Sequence, residues 1–394
     1  MGEPPLKDVT VLDLGQIYNG PYCGYLLAMS GARVIKVEAP KGEGLRGRAH
    51  VSYPFAMLNG NKETITVNLK SDRGRELLRE LVEHVDVLLE NFSPGTMEKL
   101  GVGSDALLEI NPRLIYAAAT GYGRTGRYRD YLAMDITVQA MSGVIGITGH
   151  DGEPPLKSGP ALCDILGGIH LYGAITTALY RREHTGEGAV LDVAMQDTVF
   201  PTLTSALGAY YSMGAVVPPR TGNHHQARAV APYNVYGTKD GHVAIICIRE
   251  GHWRRLTEAM GRPELGDDPR FESMAARSSN MEQTDAAVEA WTSTLSKDEV
   301  FELCQQHDVI CAPVQSLDDV VNDLHMLERG ALAKVQHPKF GEISLPSTAL
   351  RFTDVEPPAP ALPRELGEDN ATVYGELLGL TPSEVGVLRA DEAI

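Results

Sequence analysis

The sequence predicts an α/β protein: a large domain on a parallel sheet and a smaller α+β domain. Three observations lead there. The first 200 residues alternate short apolar β-rich runs with helical stretches, the pattern of repeated βαβ units. The length, 394 residues, suits two or three domains. Beyond residue 200 the alternation gives way to a hairpin and a run of helices.

The first strand is VTVLDLG, beginning at Val9, and it runs into a glycine-rich turn. A helix of small residues follows over Pro21–Ser30, with Pro at its start and Gly31 beyond its end. ARVIKVE (32–38) and TITVNL (64–69) are the next strands, and Ser71–His84 is an amphipathic helix capped by Ser71 and Asp72. VDVLLEN (85–91), RLIYAAATGYG (113–123) and VLDVAM (190–195) complete the strands, with a helix over 163–182 before the last. The apolar run Ile165–Tyr180 contains His170 and falls short of about 20 residues, so it reads as a core helix and no membrane span is expected.

In the second half, NVYGTKDGHVAIICI (234–248) is a hairpin turning at Asp240-Gly241. Helices are expected near 251–260, 283–295 and 297–306, a second hairpin over Lys334–Pro346, and a final helix near 370–380. The expected division is a large domain over 1–210, a linker over 211–230, a small domain over 231–311, a second linker over 312–335, and a C-terminal segment over 336–394 that returns to the large domain.

Composition excludes several functions. With 35 basic and 52 acidic residues the net charge is −17, which disfavours nucleic acid and anionic membrane. Residues 31–75 are the exception. Arg33, Lys36, Lys41, Arg46, Arg48, Lys62, Lys70, Arg73 and Arg75 outnumber four acids, giving a +5 island that suits either a small polyanion or a mixed solvated surface. Five scattered cysteines without C-x-x-C argue against disulfides and zinc, and for a reducing, cytoplasmic setting. The N-terminal MGEPPLKDVT lacks the basic and apolar regions of a signal peptide. Adjacent His224 and His225 have no evident third ligand, so no metal is expected. Glu38 stands where a dinucleotide enzyme places its ribose-binding acid, but the glycines fall at Gly15, Gly20 and Gly24 rather than as G-x-G-x-x-G.

Six segments in register carry a more specific signal: LDLGQIYNGPYCGYLLAMSGARVIKVEAP (12–40), LNGNKETITVNLK (58–70), ENFSPGTMEKLG (90–101), NPRLIYAAATGYG (111–123), SGPALCDILGG (158–168) and TGNHHQARAVAPYNVYGTKDG (221–241). From residue 8 to about 380 the chain resembles the class III CoA-transferases, which include formyl-CoA transferase, the carnitine CoA-transferases and α-methylacyl-CoA racemase. The resemblance implies a Rossmann-like large domain, an interlocked homodimer, and CoA transfer between an acyl-CoA, with succinyl-CoA as the expected donor, and a small carboxylic acid. No tightly bound cofactor is implied, since the CoA thioester is a substrate.

By position, Arg33, Lys70, Asn91, Phe92 and Lys99 match residues lining the family's CoA site, the cations for phosphate and Phe92 for adenine. Asp164 matches the nucleophilic aspartate; the sequence equally allows it to be an N-cap, and a helix N-terminus would favour its carboxylate form. Gly167 and Gly168 are expected to leave room for acyl-CoA. Gln16 matches a position near the reacting carbonyl or is a plain turn residue, and Asp135 matches an active-site acid or is a helix-start carboxylate. Met134 stands where the racemases carry a His, so an acyl-CoA racemase or isomerase is the lesser reading, with a non-catalytic CoA- or NAD-binding protein behind it. CIREGHW (247–253) replaces the consecutive glycines that close over the aspartate in formyl-CoA transferase. Arg46 and Arg48 are available cations for an acceptor dicarboxylate.

Overall fold

The computed structural model describes residues 2–47, 51–214 and 220–394, which leaves Arg48 outside the described residues. The chain divides into two compact units. The first takes the N-terminal segment to Met141, Pro160–Val199 and Asp323–Ile394; the second takes Ser142–Gly159 and Phe200–Asn322.

The first unit is built on a six-stranded sheet of β1 (Thr10–Asp13), β2 (Arg33–Glu38), β3 (Glu63–Thr66), β4 (Val87–Glu90), β5 (Ile115–Thr120) and β6 (Ala189–Ala194). Its order is β3-β2-β1-β4-β5-β6 and every pairing is parallel. This is the Rossmann arrangement, whose strand order reverses between β1 and β4. Both sheet faces are covered, which is why VLLE and IYAAAT are buried at every position. The two-residue period sorts them: Leu12, Leu88 and Tyr116 face Leu77, Leu78 and Leu81 of the Asp72–Val82 helix. Val11, Leu89 and Ala117 face Leu27 of the Asn19–Met29 helix and Leu171 and Ile175 of the Leu162–Thr185 helix. Ser71 caps the Asp72–Val82 helix by accepting from the Gly74 amide at 3.0 Å.

The Leu162–Thr185 helix is longer than the sequence reading allowed. At 24 residues it is long and apolar enough to cross a bilayer, yet it lays Leu171, Ile175 and Leu179 against the sheet and leaves Tyr180 exposed.

The C-terminal segment satisfies the free edge of β3. Asp369 and Asn370 accept from the Thr64 and Thr66 amides at 2.8 and 2.9 Å, and Tyr374 donates to the Thr66 carbonyl at 2.7 Å. The Asn370–Leu378 helix is not the last: Gly379 ends it with φ +70°, and Thr381 opens a further helix, Pro382–Ala390, through a capping box with Glu384.

The second unit carries the antiparallel sheet β7 (Tyr233–Gly237), β8 (His242–Ile246) and β9 (Ile310–Pro313). Helices Glu250–Ala259, Met281–Thr292 and Lys297–Gln306 cover it, burying Trp253, Leu256, Val288 and Val300 against Tyr236, Val243 and Ile245. Strand β9 was missed because ICAP is too short to show a period.

Candidate active site

In an open parallel sheet a ligand belongs at the carboxyl ends of the strands, where the order reverses. Here that crevice is tied across by one pair of residues. The Gln16 amide donates to Asn91 Oδ1 and Asn91 Nδ2 donates to the Gln16 carbonyl, both at 2.8 Å. The turn carrying Gln16 is tight: Ile17 has φ +66°, and a Cβ on Gly15 would come within 2.8 Å of the Gly20 backbone. It is anchored from below, where Lys36 donates to the Gly15 carbonyl and Lys62 reaches Asp13 at 2.7 Å and the Pro21 carbonyl at 2.8 Å. The Gln16 side chain is exposed.

Asp164 stands at the same edge. The Asn19–Met29 and Leu162–Thr185 helices run in the same direction, since Gly168 packs on the Asn19 carbonyl and Tyr172 meets Ser30 at 2.9 Å. Their N-termini therefore share one end of the unit. The sequence left open that Asp164 caps its helix; it does not. The helix starts at Leu162, and Asp135 provides the cap: its Oδ1 accepts from the Cys163 and Asp164 amides at 2.8 and 3.3 Å. The other oxygen of Asp135 accepts from Gln139 Nε2 at 2.6 Å, which fixes the carboxylate.

Asp164 itself is 8% exposed, and its carboxylate accepts no hydrogen bond from the described residues. Burial, and then the neighbouring charge of Asp135, pushes its carboxyl up to about 7. The expectation that the helix terminus would hold it ionised is corrected: the nearby amides already serve Asp135, so burial prevails.

The matching family description is CoA-transferase family III, over residues 6–370. The chain belongs to this family. It is 36% identical to a formyl-CoA:oxalate CoA-transferase of Streptomyces avermitilis, over 99% of both chains. It is 34% identical to a succinyl-CoA–D-citramalate CoA-transferase of Chloroflexus aurantiacus, over 99% of this chain and 98% of that one. A CaiB/BaiF family protein of known structure from Brucella suis is 32% identical and superposes with a TM-score of 0.85, over 95% of this chain and 99% of that one. The protein is a CoA-transferase.

The transferase brings some of the sequence-matched CoA residues together and separates others. Asn91 and Phe92 follow β4 directly, with Phe92 half-buried against the core, and Lys99 stands exposed on the next short helix, Thr96–Lys99. Lys70 is exposed beyond β3, at the outer end of the same sheet edge. Arg33 is elsewhere. It opens β2, at the amino ends of the strands, and binds Glu63 and Glu376 at 2.9 and 2.7 Å.

Most cations of the basic island are engaged in ion pairs. Lys36 pairs with Glu43, Lys62 with Asp13, Arg46 with Glu38, Arg73 with Glu80 and Arg75 with Asp72. Arg46 is buried and also donates to the Arg364 carbonyl, so it is no free cation for an acceptor. The count over residues 31–75 included Glu38, Glu43 and Asp72 but not Asp13 and Glu80, which lie outside that stretch.

Sequence reasoning missed Arg124 and Arg129. With Pro94, Gly95, Glu98, Thr125 and Asp192 they line a cavity of about 360 Å³ beyond β4 and β5. Buried Glu90 is nearby in sequence and accepts from the Phe92 amide and Tyr116 hydroxyl; burial pushes its carboxyl up to about 7. The signal was the arginine-rich loop GYGRTGRYRD (121–130), immediately after a strand.

Gly167 and Gly168 do not clear space for a substrate. Side chains there would strike Asn19 and Tyr22, so these glycines allow close helix packing. Cys163 is buried and its thiol is pushed up to about 12, which leaves no reactive thiolate beside Asp164. Met134 is 57% exposed and offers no proton-shuttling group. His224 Nε2 contacts Asp285 at 2.7 Å while His225 turns to the Tyr233 ring, and no cluster of three metal-ligating side chains occurs among the described residues.

Proposed function

We propose that this transferase moves CoA between an acyl-CoA and a small carboxylic acid, with Asp164 as nucleophile. One observation carries the reading. Asp164 is a buried carboxylate without hydrogen-bonded partners, beside a second carboxylate that is fully engaged. Hydrogen bonds would blunt such an oxygen; burial keeps it basic and reactive.

The Asp164 carboxylate attacks the donor thioester carbonyl. The C–S bond breaks, and CoA leaves as the thiolate with the electron pair, forming an aspartyl–acyl anhydride. The thiolate returns to the Asp164 carbonyl, expelling the donor acid and leaving an aspartyl-CoA thioester. The acceptor carboxylate attacks that thioester, and the released thiolate then takes the new acyl group, restoring Asp164. No proton or redox partner is consumed. Gln16 would donate to the developing oxyanion, and Asn91, Phe92, Lys99 and Lys70 would hold CoA.

Succinyl-CoA is the proposed donor, in keeping with the citramalate enzyme and with a succinyl-CoA:mesaconate CoA-transferase of Haloarcula marismortui, 36% identical over 89% of this chain and 91% of that one. The protein is proposed to work as an interlocked homodimer; Leu132, Met134 and Ile136 expose apolar surface suited to a partner subunit. Five buried, unpaired cysteines favour a reducing cytoplasm.

The test is mass spectrometry of succinyl-CoA and acetyl-CoA incubated with a panel of mono- and dicarboxylates, with hydroxylamine trapping of the enzyme. New thioesters and a hydroxamate on the Asp164 peptide are expected. A label on Cys163, or transfer retained by Asp164→Asn, would overturn the mechanism. Sedimentation should show a dimer that persists on dilution.

A further inference from the structure

Asn19 is a buried amide with nothing to bind. It is 3% exposed, its Oδ1 is buried without a partner, and its side chain makes no hydrogen bond among the described residues. Such a group costs free energy in the unliganded protein unless a ligand completes it. Its position is specific. A Cβ on Gly167 would lie 2.5 Å from Asn19 Nδ2, so the amide rests on Gly167. Gly167 lies three residues after Asp164, on the same face of the helix.

We propose that Asn19 binds the pantetheine arm of CoA, its amide pairing with the arm's amide nearest the sulfur. Three helical residues rise about 4.5 Å. In an acyl-CoA the first amide nitrogen is four bonds from the thioester carbonyl carbon, on the order of 5 Å. An arm held by Asn19 would thus set the carbonyl beside Asp164. Both pantetheine amides and Asn19 carry a donor and an acceptor, so the pairing satisfies the orphaned oxygen. The inference rests on the proposed CoA chemistry at Asp164.

The experiment compares wild type with Asn19→Ala by calorimetric titration of CoA and of adenosine 3′,5′-bisphosphate, which lacks the pantetheine arm, together with the unliganded Tm. Asn19→Ala is expected to weaken CoA about tenfold, to leave the bisphosphate unchanged, and to keep or raise the Tm, because an unpaired buried polar group is removed. Gly167→Ala, which displaces the amide, should weaken CoA in wild type and add little in Asn19→Ala. CoA affinity within twofold of wild type, an equal loss for both ligands, or a lowered unliganded Tm would overturn the assignment. Wild type that binds no CoA would instead overturn the CoA reading itself.

Discussion

Asp164→Asn separates chemistry from folding in one substitution. Raising a carboxyl from the ordinary 3.8 to about 7 corresponds to about 4 kcal/mol of preference for the neutral form. In the unfolded chain the group ionises near 3.9, so between about pH 4 and 7 the folded state binds the extra proton. Stability therefore declines as pH rises through that window, and levels off above it. Asparagine does not titrate and removes the decline. The advantage of Asp164→Asn should grow by about 3 kcal/mol between pH 4.5 and pH 8, read by urea unfolding at both pH values. Turnover should meanwhile fall by several orders of magnitude, since an amide cannot form the anhydride. A variant less stable than wild type at pH 8, or a difference that does not vary with pH, would mean that the carboxylate is compensated in the fold.

The same carboxyl should govern the pH profile. The rate with acyl-CoA is expected to fall tenfold per pH unit below about pH 7, and Asp135→Asn should move that limb to lower pH by removing the neighbouring charge while its Oδ1 still caps the helix. Lys99→Glu and Lys70→Glu should raise the KM for acyl-CoA, whereas Arg33→Glu should lower the Tm and leave KM unchanged, because Arg33 binds Glu63 and Glu376; a KM effect at Arg33 alone would reverse the assignment. Lys62→Met should cost about 3–5 kcal/mol in urea unfolding by leaving Asp13 charged and unpaired. A cost below about 1 kcal/mol would show that the pair is not buried as the structure has it.

Signals confined to a few neighbouring residues were readable in the sequence. The βαβ alternation, the Ser71 cap and the Asp240-Gly241 hairpin depend on local periodicity and turn chemistry, and each is where the pattern puts it. The Thr381–Glu384 capping box was equally legible and was overlooked. The nucleophile candidate came from six segments in register, a signal of order along the chain rather than of geometry.

What only the tertiary structure decided are the partners. Lys62 meets Asp13 across 49 residues, and Asp135 caps the helix of Asp164 across 29, so neither pairing leaves a local trace. Those partners reverse two sequence readings. They take Lys62 of the basic island into a buried ion pair, and they give the helix cap to Asp135. Asp164 is left buried with its carboxylate unbonded, and the physical reason its carboxyl is raised is desolvation: a charge withdrawn from water with no donor to replace it is pushed toward the neutral form.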